Sequence, residues 1–316
     1  KDTVLVADFI NNTGDEVFDV ALKHALSVQL AQSPFLNLFM DEKVKETLRF
    51  MGRKPDEKLT REVAREIGQR QGLKAVIVGR IDRIESNYSI SLQAVNSVTG
   101  DTFGDTFTEA KGKEQVLQAL GRASTEFRKK LGESLSSIEK FNKPIQDATT
   151  SSLDALKAYS LGREQSTRKG NPTEALALYK HAVELDPNFA LAYVGVATLY
   201  ANKGDAELAT ENAEKAFHLI DRISEPERFS VWFTYHFLVK ADVEKAIETL
   251  KTARQTYPHN PHTVNNLAVC YGSIGQFEAA LNSTQEALNL DPRNISAQVN
   301  SAELQLRFSR FKEAKD

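Results

Sequence analysis

Five alanines place the strongest constraint on this chain: Ala175, Ala209, Ala246, Ala280 and Ala314 follow one another at separations of 34, 37, 34 and 34 residues. The first four are each followed seven residues later by a second alanine, at Ala182, Ala216, Ala253 and Ala287. A seven-residue step returns to the same side of an α-helix, so each period holds a helix with two small residues on one face. Side chains are kept small at such spacing where helices meet at close range and a larger residue would wedge them apart. Gly170, Gly204 and Gly275 stand five residues before the repeat alanines, where a turn between helices needs positive φ. Pro187, Pro258 and Pro292 come just after the helices that carry the alanines, and a proline there stops a helix. Together these residues predict stacked helical hairpins, since one hairpin alone cannot bury its apolar face.

The pattern resembles the tetratricopeptide repeat over residues 153–316, with four complete repeats and a fifth that stops just inside its second helix. Glu184-Leu-Asp-Pro-Asn188 and Asn289-Leu-Asp-Pro-Arg293 match its helix ends, and Leu161 with Gly162, Tyr200 and Tyr271 fill first-helix packing positions. Repeat one has one extra residue before its turn, repeat two has Asp221 in place of proline, and repeat three has three extra residues within 223–228 and Ala241 in place of the turn glycine. The resemblance implies an all-α solenoid that does no chemistry and binds a peptide or a partner's helix on a concave surface lined by the first helices. In that register the inward-looking residues are Tyr159, Arg163, Val194, Thr198, Val231, Tyr235, Asn265, Val269, Val299 and Glu303. Trp232 and His236 lie beside them, and a lone tryptophan is expected to pack between repeats. Asn265 and Asn300 come without the lysines found in the repeats that grip a C-terminal carboxylate, which disfavours chaperone-tail binding. The cut last repeat leaves an apolar face uncapped, from which weak self-association is expected.

Residues 1–141 follow a different grammar and predict an α/β domain with a mixed sheet, joined to the repeats by a linker at 142–152. Val4–Ile10 reads as a buried strand, Asn11–Asp15 as a turn and Val17–Gln32 as an amphipathic helix. A short strand at 35–40, helices near 42–51 and 60–71 and a buried strand at 75–81 follow. Tyr88–Asn96 and Thr102–Ala110 form a hairpin about Thr99-Gly-Asp101, and one long helix is expected from about 113 to 138.

Val4-Leu-Val-Ala-Asp-Phe-Ile-Asn-Asn-Thr-Gly-Asp15, Ser33-Pro-Phe-Leu-Asn37 and Gly72-Leu-Lys-Ala-Val-Ile-Val-Gly79 resemble the TolB-N-terminal/CsgG-like α/β domain of bacterial envelope proteins and regulators. Gln32-Ser-Pro-Phe-Leu-Asn37, Leu48-Arg-Phe-Met-Gly-Arg53, Val63-Ala-Arg-Glu-Ile67, Lys129-Lys-Leu-Gly-Glu-Ser134 and the run from Ala148 to Arg163 are similar to the C-terminal region of bacterial serine/threonine protein kinases with tetratricopeptide repeats. The resemblance implies a sensory or partner-binding region, extracytoplasmic in a membrane-anchored parent, with a cytoplasmic placement as the alternative. A transcriptional regulator with a DNA-binding domain in place of the kinase is the rival parent. An unrecognised small-molecule-binding or hydrolytic α/β domain is a third reading.

Composition narrows the chemistry. One cysteine, Cys270, excludes an intrachain disulfide and a cysteine-cluster zinc site. Residues 1–150 hold 22 basic and 22 acidic side chains, and the formal net charge of the whole chain is −3, so neither half is a polycation suited to nucleic acid. No apolar run approaches the ~18 residues of a membrane span, and the sequence reads as a soluble piece of a longer protein. There is no glycine-rich phosphate loop, no Val-Ala-Ile-Lys strand, no His-Arg-Asp loop and no Asp-Phe-Gly, so no phosphoryl transfer, and no enzymatic activity, is assigned to these residues. No cofactor is expected. His259 and His262 flank Pro261 without further ligands, Ser137-Ile-Glu-Lys140 and Ser166-Thr-Arg-Lys169 lack the motifs that accompany a serine nucleophile, and neither set is read as a metal or catalytic site. Asp8, Asn11, Asn12 and Asp15 gather near the end of the first strand, a ligand position in open α/β sheets that turn formation and helix capping explain equally well.

Overall fold

A computed structural model describes residues 2–39, 41–145, 149–258, 260–292 and 294–315. His259 and residues 146–148 of the expected linker lie outside the described residues. The chain divides into two compact units, one of Lys1–Ser160 with His181–Phe189 and Arg222–Glu225, the other of Leu161–Lys180, Ala190–Asp221 and Pro226–Asp316.

The first unit is built on a mixed sheet. β1 (Asp2–Val6) and β2 (Ile10–Asn12) both run parallel to β4 (Ala75–Ile84), and β3 (Leu36–Leu38) runs parallel to β1 on its other side. β5 (Asn87–Asn96) and β6 (Thr102–Lys111) continue the sheet as an antiparallel meander, giving the order β3-β1-β4-β5-β6 with β2 on β4. The single strand expected at 4–10 is therefore broken, and the turn expected at Asn11 and Asn12 is instead a strand paired with Ile81 and Asp82. The cause is long-range. Phe9 lies over Gly79 of β4 so closely that a Cβ there would fall 2.4 Å from the ring, while the Asp8 amide turns away to the Leu59 carbonyl at 3.1 Å.

α2 (Asp41–Phe50) and α3 (Arg61–Arg70) share one core with the sheet, where Val44, Leu48 and Ile67 join Leu5, Val76 and Val78. Thr60 caps α3 by accepting the Val63 amide, ahead of an acidic first turn at Glu62. α1 (Val17–Ala31) packs beside α4 (Val116–Lys130), which covers β5 and β6. The single long helix expected from 113 to 138 is three pieces: a 3₁₀ turn at Lys113–Gln115, α4, and α5 (Leu135–Phe141). Gly132 at φ +94° ends the run, and Ser134 caps α5 by accepting the Ser137 amide at 3.2 Å. The corner is held by a buried ion pair, Arg128 to Glu133, whose side chains are 0% and 3% exposed. Beyond α5, Ile145 is buried against Gly121 of α4, and the Lys143 amide donates to Gln32 at 2.7 Å.

The helices that follow come in the order the alanine period requires: α6 (Leu153–Glu164) and α7 (Pro172–Leu185), α8 (Ala190–Lys203) and α9 (Ala206–His218), α10 (Glu225–Thr234) and α11 (Val243–Thr256), and α12 (Pro261–Ser273) and α13 (Phe277–Leu290), with α8 packed on α9 and α12 on α13. Their eight repeat alanines are buried. In the second unit the Tyr179 ring is held between Gly162 and Gly195, where added Cβ atoms would lie 2.8 and 2.7 Å from it. Repeats one and three share one backbone device. α6 and α10 end in π-helical segments, Gln165–Lys169 and Tyr235–Val239, and a π turn takes in one more residue than an α turn. Ala241 then adopts φ +50°, doing at strain what glycine does elsewhere. α14 (Ile295–Lys315) runs unbroken, so the fifth repeat is a single helix without the second-helix start expected near its end. Ser309 stands where the turn glycine would, and nothing in 308–315 breaks a helix.

Candidate functional site

The ten residues proposed from the repeat register divide by burial. Tyr159, Val231 and Asn265 are buried. Tyr159 packs on Phe189 with the rings tilted by 52° and their centroids 4.8 Å apart, and meets His24 edge-on at 5.8 Å. Asn265 accepts a hydrogen bond from Asn300 Nδ2 at 3.1 Å, so the two asparagines satisfy one another. Arg163, Val194, Tyr235 and Val269 are half-buried, and Thr198, Val299 and Glu303 are exposed. Thr198 turns its hydroxyl back onto the Val194 carbonyl at 2.8 Å, which leaves its methyl group outward. Arg163 Nη2 lies 3.4 Å from His262 Nε2, joining the first and fourth first-helices. Trp232, expected to be packed, is 40% exposed.

Tyr235 leads to a feature the register did not single out. Its ring stacks on Phe217 at the end of α9, with centroids 3.8 Å apart and planes 12° apart, and Lys240 Nζ lies 5.4 Å from its centre. Beside this pair opens a cleft of about 540 Å³, walled by Phe217, Ile220 and Tyr235 and rimmed by Glu214, His218 and Asp221. Phe217 follows the repeat alanine Ala216 directly, and an aromatic residue off the small-residue face was the signal available.

The four polar residues near β2 are each bound within the fold. Asp8 accepts from Lys23 Nζ at 2.7 Å and from the Leu59 amide at 2.8 Å. Asn11 donates to the Asp15 carbonyl and to Asp19 Oδ1, both at 2.9 Å, and accepts from the amide and hydroxyl of Thr13. Asn12 donates to Asp82, which Arg80 also clasps through two nitrogens. Asp15 accepts from the Val17 amide at the start of α1 and pairs with Lys113 at 2.6 Å. The Lys113 hydrogen bond and that amide hold the Asp15 carboxyl below its usual range.

Among the described residues no group of three or more His, Cys, Asp or Glu is placed to hold a metal. Cys270 is buried in α12, and loss of solvation pushes its thiol up to about 12, which leaves it protonated and unreactive at neutral pH. No helix among the described residues is long and apolar enough to cross a membrane.

Comparison with known proteins bears on the helical region most directly. The C-terminal domain of LpoB from Salmonella enterica is 18% identical over 35% of this chain and 82% of that domain, with a TM-score of 0.33. A thermophilic tetratricopeptide-repeat protein of Thermus thermophilus is 20% identical over 61% of this chain and 99% of its own, with a TM-score of 0.34. MamA from Desulfovibrio magneticus RS-1, from residue 41 onward, is 21% identical over 51% and 89% of the two chains, with a TM-score of 0.29. No curated protein matches the chain. The family model of the tetratricopeptide repeat matches residues 159–189 and 261–294, so the first and fourth periods of the alanine pattern are tetratricopeptide repeats.

Proposed function

We propose that this chain is a non-catalytic partner-binding region of a bacterial signalling protein, a serine/threonine kinase with tetratricopeptide repeats, and that it holds a peptide or protein segment on the first helices of its repeats. The observation that carries the reading is solvent exposure: Arg163, Val194, Thr198, Tyr235, Val269, Val299 and Glu303 are half-buried or exposed on those helices. Apolar and hydrogen-bonding surface alternate there, which suits recognition of a short segment. The kinase parentage rests on the sequence motifs quoted above. The binding role of Asp8, Asn11, Asn12 and Asp15 is disfavoured, since their side chains serve the fold.

The test selects peptides from a displayed library on the intact chain and measures their affinity for Thr198→Asp and Val299→Asp. Both positions are exposed, so folding is preserved and checked by melting temperature. A buried charge at the contact weakens binding by about 1–2 kcal/mol if these positions are touched. Peptides that bind both variants as tightly as the parent chain reject the surface.

A further inference from the structure

β6 ends the sheet, and among the described residues no strand pairs with its outer edge. In an antiparallel ladder every second residue of an edge strand turns its amide and carbonyl away from the neighbouring strand. Asp105 and Glu109 are of this kind, because their carbonyls accept from side chains outside the ladder, Lys130 Nζ and Arg122 Nη2 of α4, the second at 3.2 Å. Phe107 stands between them in the same phase, so its amide and carbonyl also point outward. Thr106, whose hydroxyl reaches the Ala123 carbonyl of α4, marks the covered face of the strand. Phe107 is on the other face and is 65% exposed, and Phe103 of the same strand is 45% exposed. Arg122 and Lys130 are exposed, and neither has a carboxylate partner among the described residues. They stand eight residues apart along α4, about 12 Å at 1.5 Å per residue. Glu126, midway between them, is turned to Lys129 at 3.1 Å. Two residues four apart on a strand share a face and are about 13 Å apart, which matches the spacing of the two cations.

We infer that the outer edge of β6 takes an added strand from an acidic partner segment. That segment carries two carboxylates four residues apart, facing Arg122 and Lys130, and apolar residues between them on the other face, beside Phe107. Its main chain bonds the outward amides and carbonyls, as in strand addition generally, and the carboxylates give the two cations the counter-charges they lack. Each edge carbonyl has a second lone pair, so it accepts a partner amide whether or not the cation leaves it. Charge selects this occupant over a second copy. A copy paired antiparallel on the same edge would bring its own α4 to the same face, and set its Arg122 and Lys130 against these two. The surface belongs to the sheet unit and does not depend on the repeat reading.

The test uses the full chain and a fluorescein-labelled, end-blocked peptide, Thr-Glu-Val-Thr-Val-Glu-Val-Thr, followed by anisotropy. A glutamine form replaces both glutamates. Two N-methylated forms, one on the valines between the glutamates and one on the central threonine, each block one hydrogen-bonding edge of the extended peptide. The glutamine form is expected to bind about two- to ten-fold more weakly, the range of two exposed ion pairs. Arg122→Gln with Lys130→Gln is expected to weaken the glutamate peptide by the same factor and the glutamine peptide not at all. One methylated form, and only one, is expected to lose at least about ten-fold in affinity, the valine form if the strand runs antiparallel to β6. Phe107→Pro, which removes an outward amide that the ladder does not use, is expected to weaken every peptide while the melting temperature holds. Equal binding of the glutamate and glutamine forms, no loss with either methylated form, or no binding at all overturns the proposal. A dimer of the chain in sedimentation that Phe107→Pro dissolves also overturns it, since the edge then takes a second copy. Weakening of the probe by Thr198→Asp would mean that it sits on the repeats and overturns the edge, whereas loss of library peptides on that variant with the probe intact supports two separate surfaces.

Discussion

Replacing Glu133 by glutamine isolates one buried charge. Arg128 is fully buried, and Glu133 takes two of its donors, Nε to Oε2 at 2.8 Å and Nη2 to Oε1 at 2.7 Å. Asn142 accepts a third from Nη1 at 3.1 Å, and Ser137 donates to Glu133 Oε1 at 2.7 Å. Glu133→Gln keeps the shape and one acceptor but leaves the guanidinium without a counter-charge where water does not reach. Breaking a buried pair in this way costs about 3–5 kcal/mol, and the retained acceptor places this case near the lower end. For a unit of this size that lowers the melting temperature of the sheet transition by about 6–12 °C. Removing both partners in Arg128→Met with Glu133→Leu takes away the charge as well as the pair, and is expected to stay within about 1–2 kcal/mol of the parent.

The pH dependence has a definite sign. Burial pushes the Glu133 carboxyl up, but hydrogen bonds from Arg128, Ser137 and Ser33 with the Arg128 charge outweigh it and hold the group below 4.5. A lowered carboxyl contributes stability that is complete above its unfolded value and is lost as pH falls through the folded one. The gap between parent and Glu133→Gln is therefore full at about pH 7 and narrows below about 4.5. Calorimetry at neutral and acid pH reads it. A Glu133→Gln chain melting within about 2 °C of the parent at neutral pH, or a gap that widens in acid, refutes the account of this corner.

Ala241→Gly is expected to stabilise the helical unit by about 0.5–1 kcal/mol, since φ +50° costs alanine more than the extra freedom glycine gains when unfolded; urea denaturation measures it, and destabilisation refutes the strain. Gly195→Ala is expected to destabilise despite alanine's better helix propensity, by about 1–3 kcal/mol, because its Cβ would lie 2.7 Å from the Tyr179 ring. The companion Tyr179→Leu should remove most of that penalty in the same melts. Cys270 is expected to resist thiol reagents at about pH 8 in folded protein and to react fully in guanidinium, and rapid labelling of native chain would show that its burial is wrong.

Much of the helical region was written locally. Two small residues seven apart, a turn glycine before them and a proline after them state a helical hairpin without reference to anything distant, and the structure has eight helices where the period puts them. The extra residue of repeat one and the missing glycine of repeat three were also legible, though not that π turns and a left-handed Ala241 would absorb them. The break after α4 had a signal in Gly132 and Ser134, a helix stop followed by a helix cap, which an apolar stripe continuing to Ile138 concealed.

The candidate site divides in the same way. Register placed residues on first helices, because helical period is a property of neighbours in the chain. Register did not decide burial: Val231 and Asn265 share the face of Tyr235 and Val269, yet the first two are buried and the others half-open. Nor could it bring Phe217 onto Tyr235, or Asn300 onto Asn265, across 18 and 35 residues. In the sheet unit, the pairing of Phe9 with Gly79 broke one strand into two and turned Asp8 toward Leu59. Composition, helical period and turn residues determined the repeat array and the α/β class of this chain. Which side chains remain available to a partner was decided by packing between segments far apart in sequence, where steric fit to a distant neighbour outweighs local preference.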